Sequence, residues 1–177
     1  MIRDLKMLDL FSGLGGASAA MRDRNWQVIT LDNNPDFKSD IVVDIRDFRW
    51  AGSVLDLIWA SPPCDEFSRE YMPWCKTGID PSMKLIEATV RVIEQAKPRF
   101  WIIENTRGAV KWFEPLLGPP AWISFPIYLW GIFPPLEKMK LRMRKEKLSS
   151  TQAAERAKIP YKLSLAVALS IEGALRL

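Results

Sequence analysis

Five short apolar runs, each closing on a polar residue, set the rhythm of the first 105 residues. Residues 6–11 (Lys-Met-Leu-Asp-Leu-Phe), 26–31 (Trp-Gln-Val-Ile-Thr-Leu), 40–43, 56–60 (Asp-Leu-Ile-Trp-Ala) and 100–103 (Phe-Trp-Ile-Ile) have the length and residue types of buried strands. Small residues at 17–21 follow a glycine turn and predict a first helix. A longer helix is expected over 83–96, where Leu85, Ile86, Val90 and Ile93 recur at helical spacing behind a capping Ser82. Strands alternating with helices imply a mostly parallel central sheet with helices on both faces. Past Gly108 the pattern weakens. Residues 115–135 hold six prolines with Trp122, Phe125, Tyr128, Trp130 and Phe133 between them, a composition that suits antiparallel strands on the sheet edge. A basic run covers 138–147. Helices are expected over 151–157 and from Pro160, a residue suited to a helix start, to Leu175.

At 177 residues, 48% of them apolar, the chain can bury the core of one ordinary domain. We divide it into a core at 1–118, a proline, aromatic and basic segment at 119–150, and terminal helices at 151–177. No apolar run is long enough to cross a membrane, and the N-terminus lacks the features of a signal peptide, so a cytoplasmic protein is expected. Two cysteines, Cys64 and Cys75, make no disulfide framework. With no histidine in the chain, a Cys-His or Ser-His nucleophile pair is excluded and the ligands for a zinc site run short; no metal is expected. The net charge of +4 is compatible with a nucleic-acid partner.

The candidate chemistry sits where strands end. The first run enters Ser12-Gly13-Leu14-Gly15-Gly16, a turn that lets backbone approach a ligand closely. The second closes on Asp32, where an acidic residue either engages ribose hydroxyls or belongs to a solvated loop. The fourth ends in Ser61-Pro62-Pro63-Cys64-Asp65-Glu66-Phe67-Ser68. Two prolines fix two φ angles and stiffen the loop that presents Cys64. Alone, this octapeptide fits a reactive loop and a plain turn equally well. The fifth run ends on Glu104-Asn105. Residues 73–81, polar and irregular, read as a mobile loop beside the site.

Four blocks stand in fixed order: Asp-Leu-Phe-Ser-Gly-Leu-Gly-Gly, Asp44-Ile45, Ser-Pro-Pro-Cys-x-x-Phe-Ser and Glu104-Asn105. Together they resemble the S-adenosylmethionine-dependent cytosine carbon-5 DNA methyltransferases, well over 7–108 and loosely over 138–177. The compact length and residues 128–131 (Tyr-Leu-Trp-Gly) are similar to small phage-encoded members. The resemblance implies a Rossmann-like methyltransferase fold whose C-terminal helix packs back on the N-terminal half, with S-adenosylmethionine as cofactor. It gives Phe11, Gly13, Gly15, Gly16, Asp32, Asp44, Ile45 and Pro63 to cofactor binding. Cys64 matches the nucleophile and Glu104 the acid at ring nitrogen 3 of the base. Asn105 would brace the proline-cysteine loop, and Arg142 and Arg144 match an Arg-x-Arg pair near the base. Without histidine, Cys64 would rely on nearby arginine and backbone dipoles to favour its thiolate.

The departures are specific. Asp32 stands where the family more often has Glu, Asp65 where it has Gln, Thr106 where it has Val, and Lys140 where Gln precedes the arginine pair. The family's Gly-Asn element before the last helix is replaced by Ile159-Pro160-Tyr161. Only residues 145–158 separate Arg144 from Ile159, where DNA-specific members insert a recognition domain. The expected substrate is cytosine in DNA, with RNA or a nucleotide, or a silent cofactor-binding subunit, as alternatives. Target recognition is left to a separate partner chain or to the aromatic and basic segments.

Overall fold

The computed structural model describes residues 4–68, 80–141, 155 and 157–175. Its framework is a seven-stranded sheet. The strands are β1 (Lys6–Leu10), β2 (Gln27–Asp32), β3 (Ile41–Val42), β4 (Leu57–Ala60), β5 (Phe100–Asn105), β6 (Trp122–Ser124) and β7 (Ile127–Ile132). Their order across the sheet is β3-β2-β1-β4-β5-β7-β6. β1 to β5 run parallel, while β7 is antiparallel to β5 and β6 antiparallel to β7. The proline and aromatic segment therefore supplies the antiparallel edge expected of it.

Among the described residues four helices cover the sheet: α1 (Ala19–Asp23), α2 (Lys84–Ala96), α3 (Val110–Leu117) and α4 (Tyr161–Leu175). Side chains alternate across each strand, so β4 sends Ile58 and Ala60 to one face and Leu57 and Trp59 to the other, all four buried. The first face packs against Ile86, Val92 and Ile93 of α2 and Phe113 of α3. The second packs against Met21 of α1 and Leu163, Val167, Ala168 and Ile171 of α4. Each large apolar side chain buried this way stabilises the fold by about 1.5–3 kcal/mol.

α4 does pack back on the N-terminal half. The Ser164 hydroxyl donates to the Ala17 carbonyl at 2.6 Å and accepts from the Ala20 N–H at 3.0 Å. Arg24 and the Trp26 indole both donate to Glu172. These polar pairs, buried at Ser164 and partly buried at Glu172, fix the last helix against the first, and with it the segment that leads into α4.

The structure departs from the sequence reading in three places. Phe11 leaves β1 with a left-handed φ of 58°, and α1 begins at Ala19, beyond the expected 17. The cap position of α2 is Met83, with Ser82 set back and accepting the Lys84 N–H only at 3.4 Å. α3 was not expected at all: Pro115 lies inside it. Proline reads as a helix breaker because it lacks an N–H, but a helix of two turns loses only one bond to it. Most of the expected helix at 151–157 and the loop at 73–81 lie outside the described residues.

Candidate active site

β1 and β4 are neighbours, while β2 and β3 continue to one side and β5 to the other. That reversal of winding opens a crevice beyond the carboxyl ends of β1 and β4, the usual ligand position in open α/β sheets. The turn after β1 opens it further. Gly13 and Gly15 adopt φ of 48° and 69°, values glycine reaches without strain. Asp32 holds this turn in place: its carboxylate accepts the Gly13 N–H at 2.9 Å and the Asn34 N–H at 2.9 Å. Asp32 thus ties the glycine turn to the loop after β2, whatever it offers a ligand.

The resulting cleft has a volume of about 490 Å³ and is lined by Phe11, Gly13, Gly16, Asp32, Pro63 and Cys64, among others. It adjoins a second cleft of about 420 Å³ that contains Asp44 and Arg46 and shares Asn33, Pro63 and Asp65 with the first. Each lies in the size range of small-ligand sites, about 300–1,000 Å³. Asp44 is paired bidentately with Arg46, at 2.9 and 2.5 Å, which holds its carboxyl down at about 2. Gly15 belongs to the turn without lining the cleft. Ile45 is 2% exposed and packs in the core below.

Cys64 is placed by hydrogen bonds on both sides. The Ser61 N–H donates to the Leu10 carbonyl at 3.2 Å, anchoring the loop to the end of β1. The Asn105 side chain donates to the Pro62 carbonyl at 3.0 Å, from β5. The Cys64 carbonyl accepts the Phe67 and Ser68 N–H groups at 3.1 and 2.9 Å, closing a turn behind it. Gly108 sits so close that an added Cβ would lie 1.9 Å from the Phe67 carbonyl oxygen, so only glycine fits there. Pairing of Ala60 with Ile103 ends β4 one residue short of Glu104, which faces Leu129 of β7 instead. Glu104 consequently stands beside Ser61, at the base of the cysteine loop.

Burial acts on Cys64 and Glu104 in the same direction. Glu104 keeps a little solvent contact, yet removal from water pushes its carboxyl up to about 7, with the Ser61 hydroxyl pulling the other way. Burial also pushes the Cys64 thiol up, reinforced by the charges of Asp65 and Glu104 and opposed by the Ser68 hydroxyl. Among the described residues no arginine or lysine lowers it, so the expected cationic support is not found there. Arg142, Arg144 and Cys75 lie outside the described residues. The same residues include no cluster of ligands fit for a metal ion and no helix long and apolar enough to cross a membrane.

The sequence reading assigned no role to three residues at the site. Ser61 sits between Trp59, whose indole N–H it accepts at 3.2 Å, and Glu104. Asp9, 1% exposed, lines the first cleft from within β1, and so does Lys158 from just before α4. A charged residue inside an apolar strand was the one available signal for Asp9.

Comparison with known proteins bears on the family and the fold. The family model described as C-5 cytosine-specific DNA methylase matches residues 5–112. The Type II methyltransferase M.AquIA of Picosynechococcus sp. is 27% identical over 128 residues, 60% of this chain and 50% of that protein. A Frog virus 3 protein described as a DNA (cytosine-5)-methyltransferase is 29% identical over 117 residues, 57% of this chain and 53% of that protein. The chain therefore spans about half the length of these curated relatives. Among solved structures, a protein described as a DNA modification methyltransferase encoded within an E. coli prophage superposes with a TM-score of 0.50 at 16% identity. That match covers 72% of this chain and 45% of the other, and it establishes a shared Rossmann-like methyltransferase fold alone.

Proposed function

We propose that this chain, which belongs to the C-5 cytosine-specific DNA methylase family, methylates carbon 5 of cytosine in DNA, with Cys64 as covalent nucleophile and Glu104 as the acid. The observation that carries the reading is that Cys64, on the loop beyond β4 at the switch point, lies near enough to Glu104 of the adjacent β5 for their charges to interact, with Glu104 raised to about 7. A carboxyl in that range can be protonated at neutral pH and donate to ring nitrogen 3.

Bound S-adenosylmethionine would supply an electrophilic methyl group. The cleft residues suit that ligand: Phe11 and the glycine turn offer an apolar face and close backbone approach, Asp32 and Asp44 offer acceptors, and Asp9 Oδ2 is a buried acceptor without a partner. Phe11, Gly13, Gly16, Asp32 and Pro63 would hold the cofactor in the first cleft and Asp44 in the second. The rest of the chemistry belongs to the chain. Cys64 Sγ adds to carbon 6 of cytosine while Glu104 protonates or hydrogen-bonds nitrogen 3, so that electron density moves to carbon 5. Loss of the carbon 5 proton after methylation then lets Sγ depart. The stiff double-proline loop, pinned by Leu10 and Asn105, keeps Sγ at a fixed height over the site through both steps.

The direct test offers the purified chain labelled S-adenosylmethionine with DNA, RNA or deoxycytidine nucleotides. Label on carbon 5 of cytosine in DNA is expected. Label confined to RNA or nucleotide, or none at all, would overturn the assignment.

A further inference from the structure

The cleft wall beside the glycine turn is built from the segment that leads into α4. Ala157, Lys158 and Ile159 line the same cleft as Phe11, Gly16 and Cys64. The packing is tight: a Cβ at Gly16 would lie 2.6 Å from the Ile159 nitrogen and 2.7 Å from Lys158 Cγ. Ile159 is buried in the core and α4 is tied to α1 through Ser164, so this wall is held firmly. Lys158 itself is exposed and makes no ion pair or hydrogen bond with any described residue.

Asp9 lines the same cleft from the strand side. Its Oδ2 is fully buried and has no hydrogen-bond partner among the described residues. An orphaned buried acceptor is costly to a fold unless something satisfies it. The cleft lining thus carries, on Asp9, one buried oxygen without a donor beside a carboxyl that Ser18 already serves, and, on Lys158, a cation without an anion among the described residues. The chemical group that answers both at once is a zwitterionic α-amino acid.

We propose that Asp9 and Lys158 together hold the amino-acid end of the cofactor, Asp9 receiving the α-ammonium and Lys158 the α-carboxylate. This rests on the S-adenosylmethionine reading above and goes beyond it by naming how this chain grips the methionine end without a Gly-Asn element before its last helix. Lys158 acts from a buttressed wall, so the cation is positioned by the same contact that makes Gly16 necessary.

Calorimetric titration of the full chain with two ligands tests it: S-adenosylhomocysteine, and 5′-methylthioadenosine, which keeps the nucleoside thioether and lacks the amino-acid group. Wild type is expected to prefer S-adenosylhomocysteine. Lys158→Met should weaken S-adenosylhomocysteine by roughly 10- to 100-fold, the span of a charge-assisted hydrogen bond, and leave 5′-methylthioadenosine unchanged. Lys158→Arg should keep most of the preference, and Asp9→Asn, close to isosteric, should lose much of it. If wild type binds both ligands and Lys158→Met keeps its preference, or loses both ligands equally, the clamp is wrong while the cofactor reading stands. If wild type binds neither ligand, the cofactor reading falls and the clamp with it.

Discussion

Asn105 donates its side-chain N–H to the Pro62 carbonyl at 3.0 Å, a buried bond that joins the strand carrying Glu104 to the loop carrying Cys64. Its other side-chain atom, Oδ1, accepts the Thr106 N–H at 2.9 Å. One amide thus sets the spacing of Cys64 and Glu104.

Asn105→Ala should therefore damage geometry before it damages binding. The stranded Pro62 carbonyl costs about 1–3 kcal/mol. At about 2–4 °C per kcal/mol for a chain of this size, the melting temperature falls by several degrees. Single-turnover methylation should drop at least tenfold, with S-adenosylhomocysteine affinity held within about threefold. Asn105→Asp cannot donate to the carbonyl and should do no better than alanine. Normal turnover in either variant would show that the bond does not position the loop.

Cys64, rather than Cys75, should form the covalent bond to the base. DNA carrying 5-fluorocytosine traps the adduct, since fluorine is not lost as a proton is. Cys64→Ser should abolish the trapped complex on a denaturing gel and Cys75→Ser should retain it. The reverse pattern would move the nucleophile to a residue outside the described part of the chain.

The pH profile follows from two opposed requirements. On the proposed mechanism catalysis needs Cys64 deprotonated, and burial holds its thiol above the ordinary value. It also needs Glu104 protonated, and that carboxyl titrates at about 7. Below about 7 the rate should climb tenfold per pH unit as thiolate accumulates. From about 7 to the thiol pKa the gain in thiolate is cancelled by loss of the acid, giving a plateau. Glu104→Gln lowers the maximum by orders of magnitude and removes the cancellation, so its rate keeps climbing where wild type is flat. Parallel profiles for the two proteins would take Glu104 out of the site.

Burial of these carboxyls also ties stability to pH. Asp9 is held at about 7 by desolvation, with Asp32 adding to it and the Ser18 hydroxyl and Arg22 pulling it down. A folded-state pKa above the unfolded value near 4 means the folded state binds more protons, so stability falls as pH rises from about 4 to 7. Asp9→Asn should flatten that decline in chemical denaturation at a series of pH values. An unchanged slope would mean that Asp9 is already ionised at low pH.

How far the sequence reached is visible in these same residues. Cys64, Glu104 and Asn105 stood out because Glu104 and Asn105 close the fifth apolar run and Cys64 sits on the loop after the fourth, and strand ends are where a parallel sheet exposes chemistry. The edge strands were legible from prolines spaced among aromatics. Asp9 was not, because its importance depends on the cleft behind β1, which forms only when β4 docks alongside. Lys158 was not, because its contact with Gly16 joins positions 142 residues apart through the packing of α4 on α1. The dual use of Asp32 was also hidden: a backbone turn recruits its oxygens, and no pattern of residue types records that.

The last prediction concerns target choice. Attack at carbon 6 needs the face of the ring, so the base must be flipped out or already single-stranded, at a cost of a few kcal/mol in a duplex. Sequence discrimination needs several base-edge contacts, each worth about 1–3 kcal/mol. The stretch from 145 to 158 offers only 14 residues for them. The aromatic segment offers less than its composition suggests, because Trp122 and Trp130 are buried in the core at 7% and 0% exposure. Phe125, 73% exposed, remains free to stack on a base. With the basic run at 138–147, this gives a surface suited to phosphates and stacking, with little to read sequence. The isolated chain should therefore methylate short or relaxed targets, with DNA affinity falling steeply as salt rises, unless a partner chain brings a recognition module. Bisulfite sequencing of DNA treated with the isolated chain decides it. Methylation confined to one motif of four or more base pairs would show that this chain reads sequence by itself.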